Sequence, residues 1–85
     1  MSVKNKVDSK LNALLAAKKI IKCELLKYNA DILLYNIKSS NNIPYFILFT
    51  YPNRVYLIDA KESHYKITEY NNYEIFLQEI TNYIE

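Results

Sequence analysis

The chain has 85 residues, 51% hydrophobic and 24% charged, with a formal net charge of +2. That is enough to fold alone as a single domain over residues 1–85, and the composition is that of a globular chain, not a disordered one. The lone cysteine, Cys23, excludes an internal disulfide and a multi-cysteine zinc site, and the absence of glycine excludes Gly-rich phosphate loops and Walker motifs.

No apolar run of signal-peptide type follows the lysine-bearing start. The longest apolar stretch, Ile43–Tyr51, is about half of what a spanning helix needs. A cytoplasmic protein without membrane contact is the expectation. Lysine, isoleucine, asparagine and tyrosine, whose codons are AT-rich, are heavily used. This points to an AT-rich source genome, such as that of a phage or mobile element, and carries no chemistry. Charge is unevenly placed. The first 28 residues hold seven lysines against Asp8 and Glu24, whereas residues 62–85 hold Lys66 against five glutamates. A basic start and an acidic end either attract one another across the fold or face different partners.

The first element is a helix starting between Lys4 and Ser9, with Val7, Leu11, Leu14 and Leu15 on one face and alanines that favour helix. Its end is open: it runs on to Tyr28, or it stops near Lys19 and leaves Ile20–Lys27 as a first strand, the reading preferred here. Tyr28–Asp31 supplies turn residues, and Asp31–Lys38 is a strand. After the polar turn Ser39–Asn42, Pro44 stands where a strand tolerates a missing N–H. Tyr45–Tyr51 and Arg54–Ala60 form a hairpin through Pro52-Asn53. Because proline cannot take positive φ, a longer loop than the tightest hairpin is expected there. Ser63–Thr68 reads as an edge strand. Asn71 and Glu74 suit a capping box for a last helix with Tyr73, Phe76, Leu77, Ile80, Tyr83 and Ile84 in one stripe. Without glycine, positive-φ turns fall to asparagine, as in the pairs at 41–42 and 71–72. The architecture expected is α+β: an N-terminal helix, an antiparallel β-meander of three to five strands, and a C-terminal helix.

Both faces of the central hairpin are apolar, and two short helices can hardly cover both. The aromatic side, Tyr45, Ile47, Phe49 and Tyr51, is taken as the one without enough chain to bury it. An uncovered apolar sheet face marks an interaction surface. The expected function is therefore that of a non-enzymatic binding or regulatory protein, using Tyr45, Phe49, Tyr51, Arg54 and Tyr56 to self-associate or to hold a protein partner. The alternative is nucleic-acid binding by the basic first helix through Lys18, Lys19 and Lys22, although a net +2 is low for a dedicated binder. No cofactor, metal site or catalytic residue is expected.

Asp59-Ala60-Lys61, following an apolar strand, resembles the acidic-x-lysine strand of restriction-endonuclease-like nucleases. The resemblance covers three residues. It implies a divalent metal held by Asp59 with Asp31 as the upstream acid, and Lys61 stabilising charge. A solvated strand end is the simpler reading. His64, the only histidine, has no ligand partner at metal-binding spacing. Cys23 reads as a small buried hydrophobe.

Overall fold

The computed structural model describes residues 2–60 and 65–85. Ser2 opens the first helix by accepting the Asn5 N–H on its Oγ at 3.2 Å, and α1 runs Val3–Ala16 with Val7, Leu11 and Leu14 buried. Its end is built without glycine. Ala17 is the C-cap and Lys18 takes the left-handed conformation, φ 60. The Lys18 N–H then donates to the Leu15 carbonyl at 3.1 Å and the Lys19 N–H to the Leu14 carbonyl at 2.9 Å. This paired pattern is the Schellman motif. It stops the helix and sends the chain into a strand at Ile20, so the ambiguous stretch from Ile20 is strand.

Five strands follow: β1 (Ile20–Tyr28), β2 (Ile32–Ser39), β3 (Pro44–Thr50), β4 (Arg54–Asp59) and β5 (Lys66–Tyr70). They form one antiparallel sheet in sequence order, β1-β2-β3-β4-β5. The chain then enters α2 (Tyr73–Glu79) and a 3-10 turn, Ile80–Asn82. This is the expected α+β meander between two helices. The first two residues of the expected edge strand, 63 and 64, lie outside the described residues, and β5 extends to Tyr70.

The turns follow the backbone demands. Asn42 takes positive φ, 66, and donates its N–H to the Ser39 carbonyl at 2.9 Å. The Asn71–Asn72 pair acts differently, because Asn72 is extended and caps α2 by accepting from the Glu74 and Ile75 N–H groups. The helix thus starts one residue later than the capping box at Asn71 would place it. Between β3 and β4 the register pairs Thr50 with Arg54, leaving Tyr51, Pro52 and Asn53 as a three-residue loop with a cis Tyr51–Pro52 bond. A Tyr51–Arg54 pairing would have put Phe49 opposite Tyr56. Instead Phe49 lies opposite Val55 and Tyr56 opposite Leu48.

Both helices pack on the same side of the sheet. Val7, Leu11 and Leu14 of α1 and Phe76 and Leu77 of α2, with Ile80 just beyond it, join Tyr35, Ile37, Tyr45, Ile47, Phe49 and Leu57 in one core. A chain of ring contacts runs through it: Tyr35 to Phe49 at 6.4 Å, Phe49 to Phe76 at 6.0 Å, and Phe76 to Tyr70 at 5.0 Å. Each such pair adds about 0.5–1.5 kcal/mol beyond area burial. The oppositely charged ends of the chain do meet, since the Lys6 ammonium lies 2.8 Å from Glu74.

The expectation that the Tyr45–Ile47–Phe49 side lacks cover is corrected: that side is the core, with Tyr45 at 2% and Phe49 at 4% exposure. The uncovered side is the other one.

Lys18→Gly relieves the left-handed penalty of a residue bearing a Cβ, roughly 1 kcal/mol. Chemical denaturation is expected to give a higher midpoint for this variant with an unchanged slope.

Candidate functional site

The strand registers set out the uncovered face as a grid. Across its middle, one row reads Glu24, Asn36, Phe46, Ile58 and Ile67 from β1 to β5, and the next reads Lys27, Leu34, Leu48, Tyr56 and Glu69. Ile32, Thr50 and Arg54 border the second row, and Lys22, Lys38 and Pro44 border the first. Phe46, Leu48, Leu34, Tyr56 and Ile58 are half-buried, and Ile67 is 62% exposed. No described helix or strand lies over them. The centre is therefore apolar and aromatic, and charge is confined to the margin. Protein interfaces have that anatomy.

Ion pairs trim part of the margin. Arg54 lies 3.0 Å from Glu69, which also accepts the Tyr56 hydroxyl at 3.3 Å, and Lys22 lies 3.8 Å from Glu24. Lys27 and Lys38 make no ion pair among the described residues.

The residues expected to bind a partner are divided by the fold. Tyr45 and Phe49 are core. Tyr45 also ties down the last residue, its hydroxyl accepting the Glu85 N–H at 3.0 Å. Tyr56 belongs to the open face and Arg54 to its margin. Tyr51, 80% exposed, stands at the end of the sheet beside a cleft of about 200 Å³, bordered also by Lys4, Tyr28, Asp31, Arg54 and Tyr73. Both cations there are already engaged, Lys4 by Asp8 at 2.5 Å and Arg54 by Glu69. The basic trio separates too. Lys18 and Lys19 sit at the α1–β1 junction, while Lys22 shares the open-face margin with Lys38.

Sequence reasoning missed Phe46, Leu48, Leu34 and Ile58 as the exposed set. A signal was present, because Asn36, Lys38, Thr50 and Arg54 all fall in their phase, whereas across β2–β4 the Tyr45 phase turns polar only at the strand-end residues Ser39 and Asp59.

The nuclease-like constellation is not assembled. Asp31 stands at the end of the sheet where its carbonyl accepts the Tyr51 N–H at 2.9 Å, and Asp59 pairs with Tyr45 at the opposite end. Lys61 and His64 lie outside the described residues. No group of three His, Cys, Asp or Glu suited to a metal occurs among the described residues, and no described helix is long and apolar enough to cross a membrane.

A polar cluster sits where α1 meets β1 and β2. The buried Tyr35 hydroxyl donates to Asp8, which also receives Lys4. Burial pulls the Asp8 carboxyl upward, but the Lys4 and Tyr35 hydrogen bonds and the Lys4 charge outweigh it and hold it below the ordinary range. Burial, and then the Asp8 hydrogen bond, push the Tyr35 phenol far up. Burial and the Asp8 charge raise the Cys23 thiol, the reverse of what a thiolate nucleophile requires. This cluster anchors the helix to the sheet and offers no activated group.

No family model, curated protein sequence or solved structure matches the chain.

Because the folded Asp8 carboxyl is held below its ordinary 3.8, its contribution to stability is present above that pH and lost as pH falls through the folded value. In urea titrations across the acid range, Asp8→Asn is expected to be less stable near neutrality and to have a shallower acid decline than the parent.

Proposed function

We propose that this chain is a non-enzymatic docking module that binds another polypeptide through the open face of its sheet. The observation that carries this reading is the placement of both helices on one side, which leaves Phe46, Leu48, Leu34, Tyr56 and Ile58 without cover at the centre of the other. A solvated antiparallel face ordinarily alternates to polar residues. Here the centre stays apolar, and burying such residues in an interface contributes about 25 cal/mol per Å² before the costs of association. Phe46 and Tyr56 are the anchors, being large, rigid and central.

A second reading, single-stranded nucleic acid stacked on Phe46 and Tyr56, draws on Lys22, Lys27 and Lys38 at one margin. It requires oligonucleotide binding that weakens steeply with salt. The aliphatic majority of the centre favours protein.

Two measurements test the docking reading. Phe46→Lys, on the open face, is expected to shift stability by no more than about 1 kcal/mol. Phe49→Lys buries an unpaired charge and removes the ring contacts with Tyr35 and Phe76, and is expected to unfold the domain. A photoreactive benzophenone side chain at position 46, in the native host, is expected to capture a polypeptide, whereas the same group at Glu79 on α2 captures none. Equal capture at both positions, or none at 46, removes the reading.

A further inference from the structure

We infer that the polypeptide bound by the open face is a second copy of this chain, an inference that rests on the docking reading above. The evidence is the self-complementarity of the grid. Two copies meeting face to face through the same patch are related by a two-fold axis lying in the interface, parallel or perpendicular to the strands. With the axis along β3, rows are kept and strand order is reversed. Phe46 then meets Phe46, Leu48 meets Leu48, Leu34 meets Tyr56, and Lys27 meets Glu69. With the axis across the strands, the two central rows exchange. Phe46 then meets Leu48, Ile58 meets Tyr56, and Lys27 meets Glu24.

Either axis places Lys27, which makes no ion pair among the described residues, above a carboxylate of the other copy. Neither axis sets like charges opposite one another in the central rows. Both bury Phe46 against an apolar residue of β3.

Geometry permits the packing. Sheets stack about 10 Å apart with strands within roughly 30° of alignment. The resulting offset at the margins is within reach of a lysine side chain, whose length covers several Å. Strand spacings near 4.8 Å and a rise near 3.3 Å make the face roughly 600 Å² with its side chains, somewhat below the ~800 Å² per partner of a standard interface. A face of that size suits a weak, concentration-dependent dimer and not an obligate one.

The purified full chain tests the inference by sedimentation velocity from low to high micromolar concentration, with a benzophenone side chain replacing Phe46 in a parallel sample. The expected result is a concentration-dependent dimer and a covalent adduct of two chains through position 46. Lys27→Glu weakens the dimer by roughly tenfold. Glu69→Lys or Glu24→Lys added to Lys27→Glu restores it, and the one that restores it identifies the axis. Lys27 is exposed on an edge strand, so its reversal leaves the fold intact, as circular dichroism will verify. A chain monomeric throughout, whose position 46 captures a different protein in the host, overturns the second-copy inference and leaves the docking reading standing. A monomer with no capture at 46 overturns both. A dimer indifferent to Lys27→Glu and without a position-46 adduct places self-association elsewhere and overturns the inference.

Discussion

The packing of both helices on one side of the sheet is the constraint on which the rest of the structure depends. It is enforced at its centre by ring contacts that link Tyr35 to Phe49 and Phe49 to Phe76. At its rim, Asp8 holds α1 to β2 through Tyr35 and Lys6 holds α1 to α2 through Glu74. The rim contacts are partly solvated and individually worth little, so the apolar and aromatic centre dominates. The arrangement puts both described helices on one face. Among the described residues no further helix or strand lies over the second.

That allocation explains how the two faces differ despite similar composition. The covered one is filled from strand after strand by Ile37, Tyr45, Ile47 and Leu57, all nearly inaccessible. The uncovered one keeps its apolar residues central and its charges marginal. The edge strands are blunted in different ways. β1 carries register shifts near Ile21 and Leu26, which twist an edge away from extended pairing, and β5 is short.

The architecture was legible in the sequence because each element carries a periodic pattern and a boundary signal. Phe76, Leu77 and Ile80 share a helical stripe, Pro44 opens a strand, and Ser39–Asn42 makes a turn. The start of β1 was harder, since Ile20–Leu26 fits either period. Lys18, a residue that seldom takes positive φ, settles it in a way no propensity announces. The candidate site was legible only in kind. An uncovered apolar face follows from counting helices against faces, but which face the helices choose depends on tertiary packing. Tyr45 and Phe49 looked like a platform because aromatics serve cores and interfaces equally well. What distinguished the two was where polar residues fall: Asn36 interrupts the Phe46 phase inside β2, whereas the Tyr45 phase in β2–β4 turns polar only at the strand ends, Ser39 and Asp59.

The meander has a kinetic side. Each strand pairs with its neighbours in sequence, so the sheet closes through short loops at little entropic cost and is able to form as the chain emerges. The lid over its core is the opposite case. Phe76 must reach Phe49, and Glu74 must reach Lys6, a separation of 68 residues. During synthesis, at about 5–20 residues per second, the core face of the nascent sheet therefore has only α1 to cover it until α2 has been made. The late helix does more than complete a core. It ends the interval in which that face is only half covered, and leaves the Phe46 face open.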